Sequence, residues 1–303
     1  MTITSDTGVK PRLHALWMAF YELFADSGFS MAGAVAFSFV LSLFPFCIFL
    51  GAFAGYFGGA GLAKAAVEQL FLVLPGPVAK AIEPEVIAVM GQSRFGLLTV
   101  GALIALFFAT SAIESLRAAL NVAYRVKETK SYPACIAQSA FLVLLSALGM
   151  LAMAWGIVVG PQLAEHFHPS WLVWMTDRGW TNFVLRYVIV ATAIGAQLLA
   201  YHLFLAAGRR RIVDVLPGVV ASVVFWILEA NLFSWWLTVN DYSRFYAGLT
   251  QVMSALIFFQ LAAIIVVLGA EVNRALGELR MKADGVAVPR FNRWREPRNG
   301  TDG

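Results

Sequence analysis

The four histidines are the first residues to consider for chemistry. Metal-dependent RNA cleavage needs His and carboxylate ligands clustered around the ion, and His14, His166, His168 and His202 share no such cluster. His166 and His168 lie beside Glu165 and could bind a metal weakly, but a solvated loop is the simpler interpretation. The sequence also carries no phosphate-binding loop, nucleophile elbow or dinucleotide fingerprint. It therefore predicts no catalytic residue, no metal and no cofactor.

Polar side chains inside long apolar stretches form a second class of candidates. Glu229 lies deepest in such a stretch, Asn231 follows it, and Glu229 has no basic neighbour at helical spacing. An ionisable group at membrane depth is costly and tends to mark a pathway or a partner. We therefore expect Glu229 to face a cavity, another polar helix surface or water. Further polar residues that could line the same transport path are Ser38, Ser42, Gln251, Ser254 and Gln260, although hydrogen bonds between helices would give the same pattern without transport.

A third polar cluster is predicted at the inner ends of two spans. It comprises Glu114, Arg117, Asn121, Glu271 and Asn273. Glu114 precedes Arg117 by three residues and Glu271 precedes Arg274 by three, so each pair can form a local ion pair on one helix. A purely structural role is at least as good an interpretation as a functional one for these two carboxylates.

The elements that position these residues must lie in a membrane. The chain has 303 residues, 60% of them hydrophobic and 13% charged, whereas a soluble domain has about 25% charged residues. The net charge of +4 does not indicate nucleic-acid binding, since basic residues do not alternate with aromatic ones as a base-stacking surface requires. Cys47 and Cys135 provide neither a disulfide framework nor a metal-binding pair.

The expected fold class is all-α, a polytopic transmembrane helical bundle with about six spans. Residues 1–28 are expected to form a cytoplasmic tail with an interfacial helix, and Pro45 is expected to kink the first span. Short amphipathic helices are expected between spans 1 and 2, at 61–94, and residues 277–303 are expected to form an Arg-rich, disordered cytoplasmic tail. The transmembrane domain covers 29–276, with spans at about 29–57, 95–113, 134–159, 183–207, 212–237 and 248–276.

The distribution of basic residues predicts the orientation. Cytoplasmic loops carry an excess of Lys and Arg. With the N-terminus inside, all but six of the basic residues fall in cytoplasmic segments, the six being Lys64, Lys80, Arg94, Arg178, Arg186 and Arg244. The sequence therefore predicts a multi-pass protein of the bacterial inner membrane with both termini in the cytoplasm.

Several short motifs resemble those of one family. They occur in order along the chain, at 42–45 (SLFP), 120–124 (LNVAY), 216–218 (LPG), 246–249 (YAGL) and 268–273 (LGAEVN). Together they resemble the YihY/BrkB family of bacterial inner-membrane proteins, over roughly residues 25–276. The resemblance implies a multi-spanning protein connected with transport or with envelope and lipid export, and it implies that the old ribonuclease BN label of some members is mistaken.

Two functions from different classes therefore remain open. The first is a transporter or flippase-like protein for a lipid or another amphiphilic envelope component. The second is a non-transporting scaffold for envelope assembly, and a ribonuclease is a remote third. Membrane lipids are the expected partners, with further copies of the chain as an open alternative, and no nucleic acid is expected.

Overall fold

The structure is a computed structural model, and it describes residues 9–43, 45, 95–146, 179–239 and 249–285. Throughout these ranges the chain is helical apart from short turns, and no strand occurs in them. The predicted all-helical class is confirmed for this part of the chain. The predicted amphipathic helices at 61–94 and the tail beyond 285 lie outside the described residues.

The N-terminal helix α1 (Val9–Ala25) begins earlier than the predicted interfacial helix and is joined to α2 (Gly28–Leu43) by a turn at Asp26 and Ser27. The two helices are bent by 71° relative to each other. Ser27 has a φ of 61°, a left-handed conformation that ends the first helix and redirects the chain. The bend leaves α1 in a different direction from the apolar helix that follows it.

Two helices follow in the middle of the chain. Helix α3 (Phe95–Ala123) continues unbroken from the predicted second span into the polar segment that follows it, and α4 (Tyr132–Ser146) is the described part of the predicted third span. Helix α3 ends in a Schellman motif, in which Val126 N–H donates to Asn121 O and Arg125 N–H to Val122 O, both at 2.9 Å. Arg125 takes the left-handed position with a φ of 55°.

The C-terminal half contains three helices. Helix α5 (Gly179–Ala200) continues into one π-helical turn at Tyr201–Leu205. Helix α6 (Ile212–Val239) contains Pro217, close to its start, and α7 (Leu249–Ala283) is 35 residues long. Helix α7 therefore continues seven residues beyond the predicted end of span 6, so residues 277–283, predicted to belong to a disordered tail, are helical.

Helix α7 lies at the centre of the bundle and packs against α6, α1 and α3, while α5 packs on the other side of α6. The main core is built from apolar side chains of several helices, among them Leu23, Leu120, Leu142, Leu205 and Val267. By contrast, large apolar side chains repeat along one side of α6 and are exposed: Val220, Val224, Leu228, Leu232 and Trp235. Spacing of three or four residues places them on one face, as lipid contact requires.

Three described helical segments are long and apolar enough to cross a membrane: Thr99–Ala123, Ile212–Trp236 and Val252–Ala283. The bent pair of α1 and α2 makes a fourth if it is counted as one span. Tyr132–Ser146 and Val190–Leu205 are shorter apolar helices. The described residues thus support three or four of the six predicted spans.

The closest helix crossing joins α6 to α7 through two glycines. A Cβ on Gly269 would lie 2.9 Å from the carbonyl oxygen of Gly218 and closer still to the Ser222 hydroxyl, so neither helix has room for a side chain there. From this crossing the helices run antiparallel, with Ser222 Oγ donating to Ile265 O at 3.1 Å and the Phe233 and Phe258 rings 5.5 Å apart. Small residues at such a crossing bring two membrane helices into backbone contact.

The crossing yields a stability prediction. Gly269→Ala should lower the melting temperature of the detergent-solubilised protein, because the added methyl group must push α6 and α7 apart, a change that costs about 1–3 kcal/mol in packed interiors. Gly277→Ala is the matched control on the same helix, since a Cβ there meets nothing within 4 Å. The control should keep or slightly raise the melting temperature, and equal melting temperatures for the two variants would contradict the crossing.

Candidate functional site

Two of the places where polar side chains are buried in the described structure involve ionisable groups. The first is a group at one end of the bundle, which we call the inner network: Arg117, Asn121, Tyr124, His202 and Asn273. The second is Glu229, which lies further along the contact between α6 and α7. All six residues come from or adjoin apolar helices, and each is considered in turn.

Arg117 holds three elements together from within α3. Only 3% of it is exposed, and its guanidinium donates to Cys135 O and Ser139 Oγ of α4, both at 3.0 Å, and to Leu205 O of the π-helical turn at 3.3 Å. Glu114 lies 3.3 Å from Nε and Glu128 3.4 Å from Nη1, so two carboxylates balance the charge. Such partners stabilise a buried arginine, and Nε, which makes no hydrogen bond, has the Glu114 carboxylate nearby to balance its charge.

Asn121 and Asn273 satisfy backbone groups where helices begin and end. Asn121 Oδ1 accepts a hydrogen bond from Ala207 N–H at 2.7 Å, just after the π-helical turn. Asn273 Oδ1 accepts from Gly218 N–H at 2.6 Å, at the glycine crossing. Each side chain thus ties the backbone of a distant segment to its own helix, Asn121 near the end of α3 and Asn273 within α7.

Tyr124 links these asparagines to α5. Its hydroxyl accepts a hydrogen bond from Asn273 Nδ2 at 3.1 Å and is 2.8 Å from His202 Nδ1. The Arg210 guanidinium carbon lies 3.7 Å from the centre of its ring, a cation–π contact. Burial raises the pKa of Tyr124 to about 12, so the hydroxyl keeps its proton throughout the physiological range.

Ion pairs around this network attach α1 to the bundle. Arg125, which holds the left-handed position after α3, lies 3.3 Å from Glu22 and 3.2 Å from Asp26. Arg274 pairs with Glu271 at 2.8 Å and also with Glu22 and Glu278. The two local pairs predicted from the sequence, Glu114 with Arg117 and Glu271 with Arg274, are confirmed.

The network joins three of the five family-like motifs. Motif 120–124 supplies Asn121 and Tyr124, motif 216–218 supplies Gly218, and motif 268–273 supplies Gly269 and Asn273. Sequence reasoning grouped the inner-end polar residues but missed Ser139 and Gln138 of α4, which both bond to Arg117. The polar pair at 138–139, just inside an apolar run, was the available signal.

Glu229 has a contrasting environment. It is 8% exposed, and neither carboxylate oxygen has a hydrogen-bond partner among the described residues. It lies seven residues after Ser222 and four before Phe233, and both of those residues contact α7. Helical periodicity therefore places Glu229 on the same face of α6, toward α7. We call this contact between the two helices the α6–α7 seam.

The other predicted path residues are distributed over several faces. Ser254 is buried and lies four residues before Phe258, on the seam side of α7, whereas Gln260 lies beside Gly33 of α2. Asn231 is exposed and donates to Ile227 O of its own helix at 2.7 Å. The structure therefore separates Asn231 and Gln260 from Glu229, and it does not describe the Gln251 side chain.

Ser38, Ser42 and Pro45 belong to α2 and its continuation. Ser42 is buried and donates to Phe39 O of its own helix at 2.7 Å, and Ser38 is half-buried. Pro45 is buried and helical, but the residues that follow it, where the kink was predicted, lie outside the described residues. His166 and His168 also lie outside them, and within the described ranges no group of three or more His, Cys, Asp or Glu side chains could hold a metal ion.

Comparisons with known proteins place this arrangement in context. A family described as virulence factor BrkB matches residues 19–295. A protein named as ribonuclease-like, YfkH of Bacillus subtilis strain 168, is 27% identical over 278 residues, which cover 87% of this chain and 96% of YfkH. No solved structure was found to match the chain.

The inner network yields a prediction about stability. Arg117→Gln should destabilise the protein by about 3 kcal/mol or more, because it leaves buried carbonyl groups without donors and two carboxylates without their cation. Thermal unfolding in detergent measures the effect. Arg280→Gln is the control: Arg280 pairs with Asp214 at 2.8 Å, but both side chains are about half exposed (51% and 48%), so the loss should stay below about 1 kcal/mol. Equal losses would show that Arg117 does not hold the bundle together.

Proposed function

The chain belongs to the BrkB virulence factor family, and on that premise we propose that it is a transporter or flippase-like protein for a lipid or another amphiphilic envelope component. The family and the apolar helices make it an integral membrane protein. In the proposal it crosses the bacterial inner membrane six times with both termini in the cytoplasm. The proposal assigns no enzymatic reaction to it, and the ribonuclease-like name belongs to YfkH.

The observation that carries the proposal is the buried carboxyl of Glu229. A polar group without a hydrogen bond in apolar surroundings costs several kcal/mol, and nothing among the described residues offsets that cost for Glu229. A helix that served only as a scaffold would be more stable with an apolar residue there. Ionisable residues retained at membrane depth mark substrate or ion pathways as a rule.

The surroundings of Glu229 suit an amphiphile. Its carboxyl lies in the α6–α7 seam, while the opposite side of α6 presents Val220 and Val224 to the exterior. A polar headgroup that entered the seam would meet a hydrogen-bonding group, and its acyl chains would remain in contact with the apolar outer face. One enclosed polar group beside an apolar outer face would shield a headgroup from hydrocarbon, where an unpaired polar group is costly.

The proposed orientation is supported by where the charged ends meet. Arg280 of α7 pairs with Asp214 at the start of α6, and Arg117 near the end of α3 bonds to Leu205 at the end of α5. The basic ends of four helices thus lie on one side of the bundle. The excess of positive charge on that side supports a cytoplasmic position for it.

Lipid translocation in proteoliposomes tests the proposal. With NBD-labelled phosphatidylglycerol as the probe and dithionite quenching as the readout, Glu229→Ala should slow translocation by about tenfold or more. That change corresponds to the ~1.5–3 kcal/mol of a hydrogen bond to a charged group. Asn231→Ala is the control on the same helix, since Asn231 is exposed and bonds only to its own backbone in the described structure.

Two results would count against transport. The first is a Glu229→Ala variant that elutes like the wild type on gel filtration and translocates the probe at the wild-type rate. The second is a wild-type protein that translocates neither this probe nor its phosphatidylethanolamine and cardiolipin counterparts. The second result would favour the scaffold, whose support is the closely packed, extensively bonded inner network.

A further inference from the structure

We propose that Glu229 is a proton-binding site: the carboxyl holds a proton while the α6–α7 seam is closed and releases it to water when the seam opens. The inference adds a coupling ion to the proposed function, and in that part it rests on it. The binding of the proton itself does not depend on transport.

The position of Glu229 is fixed by contacts on both sides of it. Toward the inner end, Ser222 Oγ donates to Ile265 O at 3.1 Å, and toward the outer end, the rings of Phe233 and Phe258 lie 5.5 Å apart. Glu229 lies between these contacts on the same face of α6 and is 8% exposed. The carboxyl is therefore enclosed between a backbone contact and an aromatic contact.

Charged groups on the neighbouring helices are few. Between Leu249 and Ala270, α7 carries no Asp, Glu, His, Lys or Arg. The other acidic residue of α6, Asp214, lies at the inner end of the helix and pairs with Arg280. Helix α5 packs on α6 and carries two titratable residues, Arg186 and Tyr187, and the π-helical turn after it carries Tyr201 and His202.

Tyr201 and His202 are engaged elsewhere. Tyr201 OH lies 3.2 Å from Ser146 Oγ, and His202 Nδ1 lies 2.8 Å from the Tyr124 hydroxyl at the inner end. The basic residue of α5 that could compete with a proton is therefore Arg186, and the experiment below tests it directly.

The cost of ionisation favours the protonated form. Moving an isolated carboxylate into apolar surroundings costs far more than moving the neutral acid, and such groups bind a proton instead. A metal cation is a poorer substitute because it needs several oxygen ligands, and no second carboxylate lies on the seam-facing stretch of α7. When the seam opens, water solvates the carboxylate and accepts the proton. The carboxyl of Glu229 is then protonated when the seam is closed and ionised when the seam is open.

Infrared difference spectroscopy on the purified full-length protein tests proton binding without any transport assay. At neutral pH the wild type should show the carbonyl stretch of a protonated carboxyl, shifted in heavy water, and Glu229→Gln should lose it. Glu114→Gln is the control: Glu114 is partly exposed and paired with Arg117, so the band should remain. Loss of the band in Glu114→Gln, or its absence in the wild type, overturns the proposal.

Arg186→Gln separates a proton from an ion pair. If Glu229 already holds a proton, Arg186→Gln leaves the carboxyl band unchanged. If Arg186 instead holds Glu229 as a carboxylate, the wild type lacks the band and Arg186→Gln creates it. The second pattern overturns the proposal even if every variant folds and transports lipid.

A pH gradient tests the coupling. In proteoliposomes with NBD-phosphatidylglycerol, an imposed gradient should change the wild-type translocation rate by at most about tenfold per unit of pH, the limit for binding of one proton. Glu229→Gln, which mimics the neutral acid, should not respond to the gradient.

A carboxyl band without translocation by the wild type leaves proton binding intact and refutes the proposed function. Translocation without the band refutes proton binding, and a gradient response retained in Glu229→Gln refutes the coupling.

Discussion

The backbone contact between Gly218 and Gly269 is the constraint on which the rest of the described structure depends. It brings α6 and α7 close enough for Asn273 to reach the Gly218 amide and, with its other amide atom, the Tyr124 hydroxyl. Through Tyr124 the contact extends to α3 and to His202 beside α5. A larger side chain at either glycine would separate not two helices but four.

Two buried ionisable side chains of the bundle, Arg117 and Glu229, have opposite environments. Arg117 lies in a setting as enclosed as that of Glu229, but carbonyl oxygens, a hydroxyl and two carboxylates surround it, so its charge stabilises the packing. Glu229 has no such partners among the described residues. The cost of burial is therefore offset by partners at the inner end and is not offset in the seam by any described residue.

Much of the helical architecture follows from the sequence, because long apolar runs, prolines and charged ends are local signals. The start of α6 and the unbroken passage of α3 into its polar segment were predicted, and so were the two local ion pairs. Contacts between distant segments were not, since nothing local indicates that Asn273 meets Gly218 or that Arg117 reaches Leu205. Helical periodicity could have shown that the predicted path residues lie on different helix faces. Ser254 and Gln260 are six residues apart, which places them about 120° apart around α7. Asn231 lies almost opposite Glu229 on α6.

The position of the glycine crossing has a mechanical consequence. Glu229 lies eleven residues from Gly218 along α6, about 16 Å at the rise of an α-helix. The inner ends of α6 and α7 are bonded to each other and to α3. The two helices can therefore tilt relative to each other only about a hinge at the glycine crossing. A tilt of 10° about that joint would displace the carboxyl by about 3 Å, roughly the diameter of a water molecule. A small change in helix angle is therefore enough to admit water to the carboxyl, and because the inner ends are bonded, the gap opens first at the end of the two helices that lies away from the glycines.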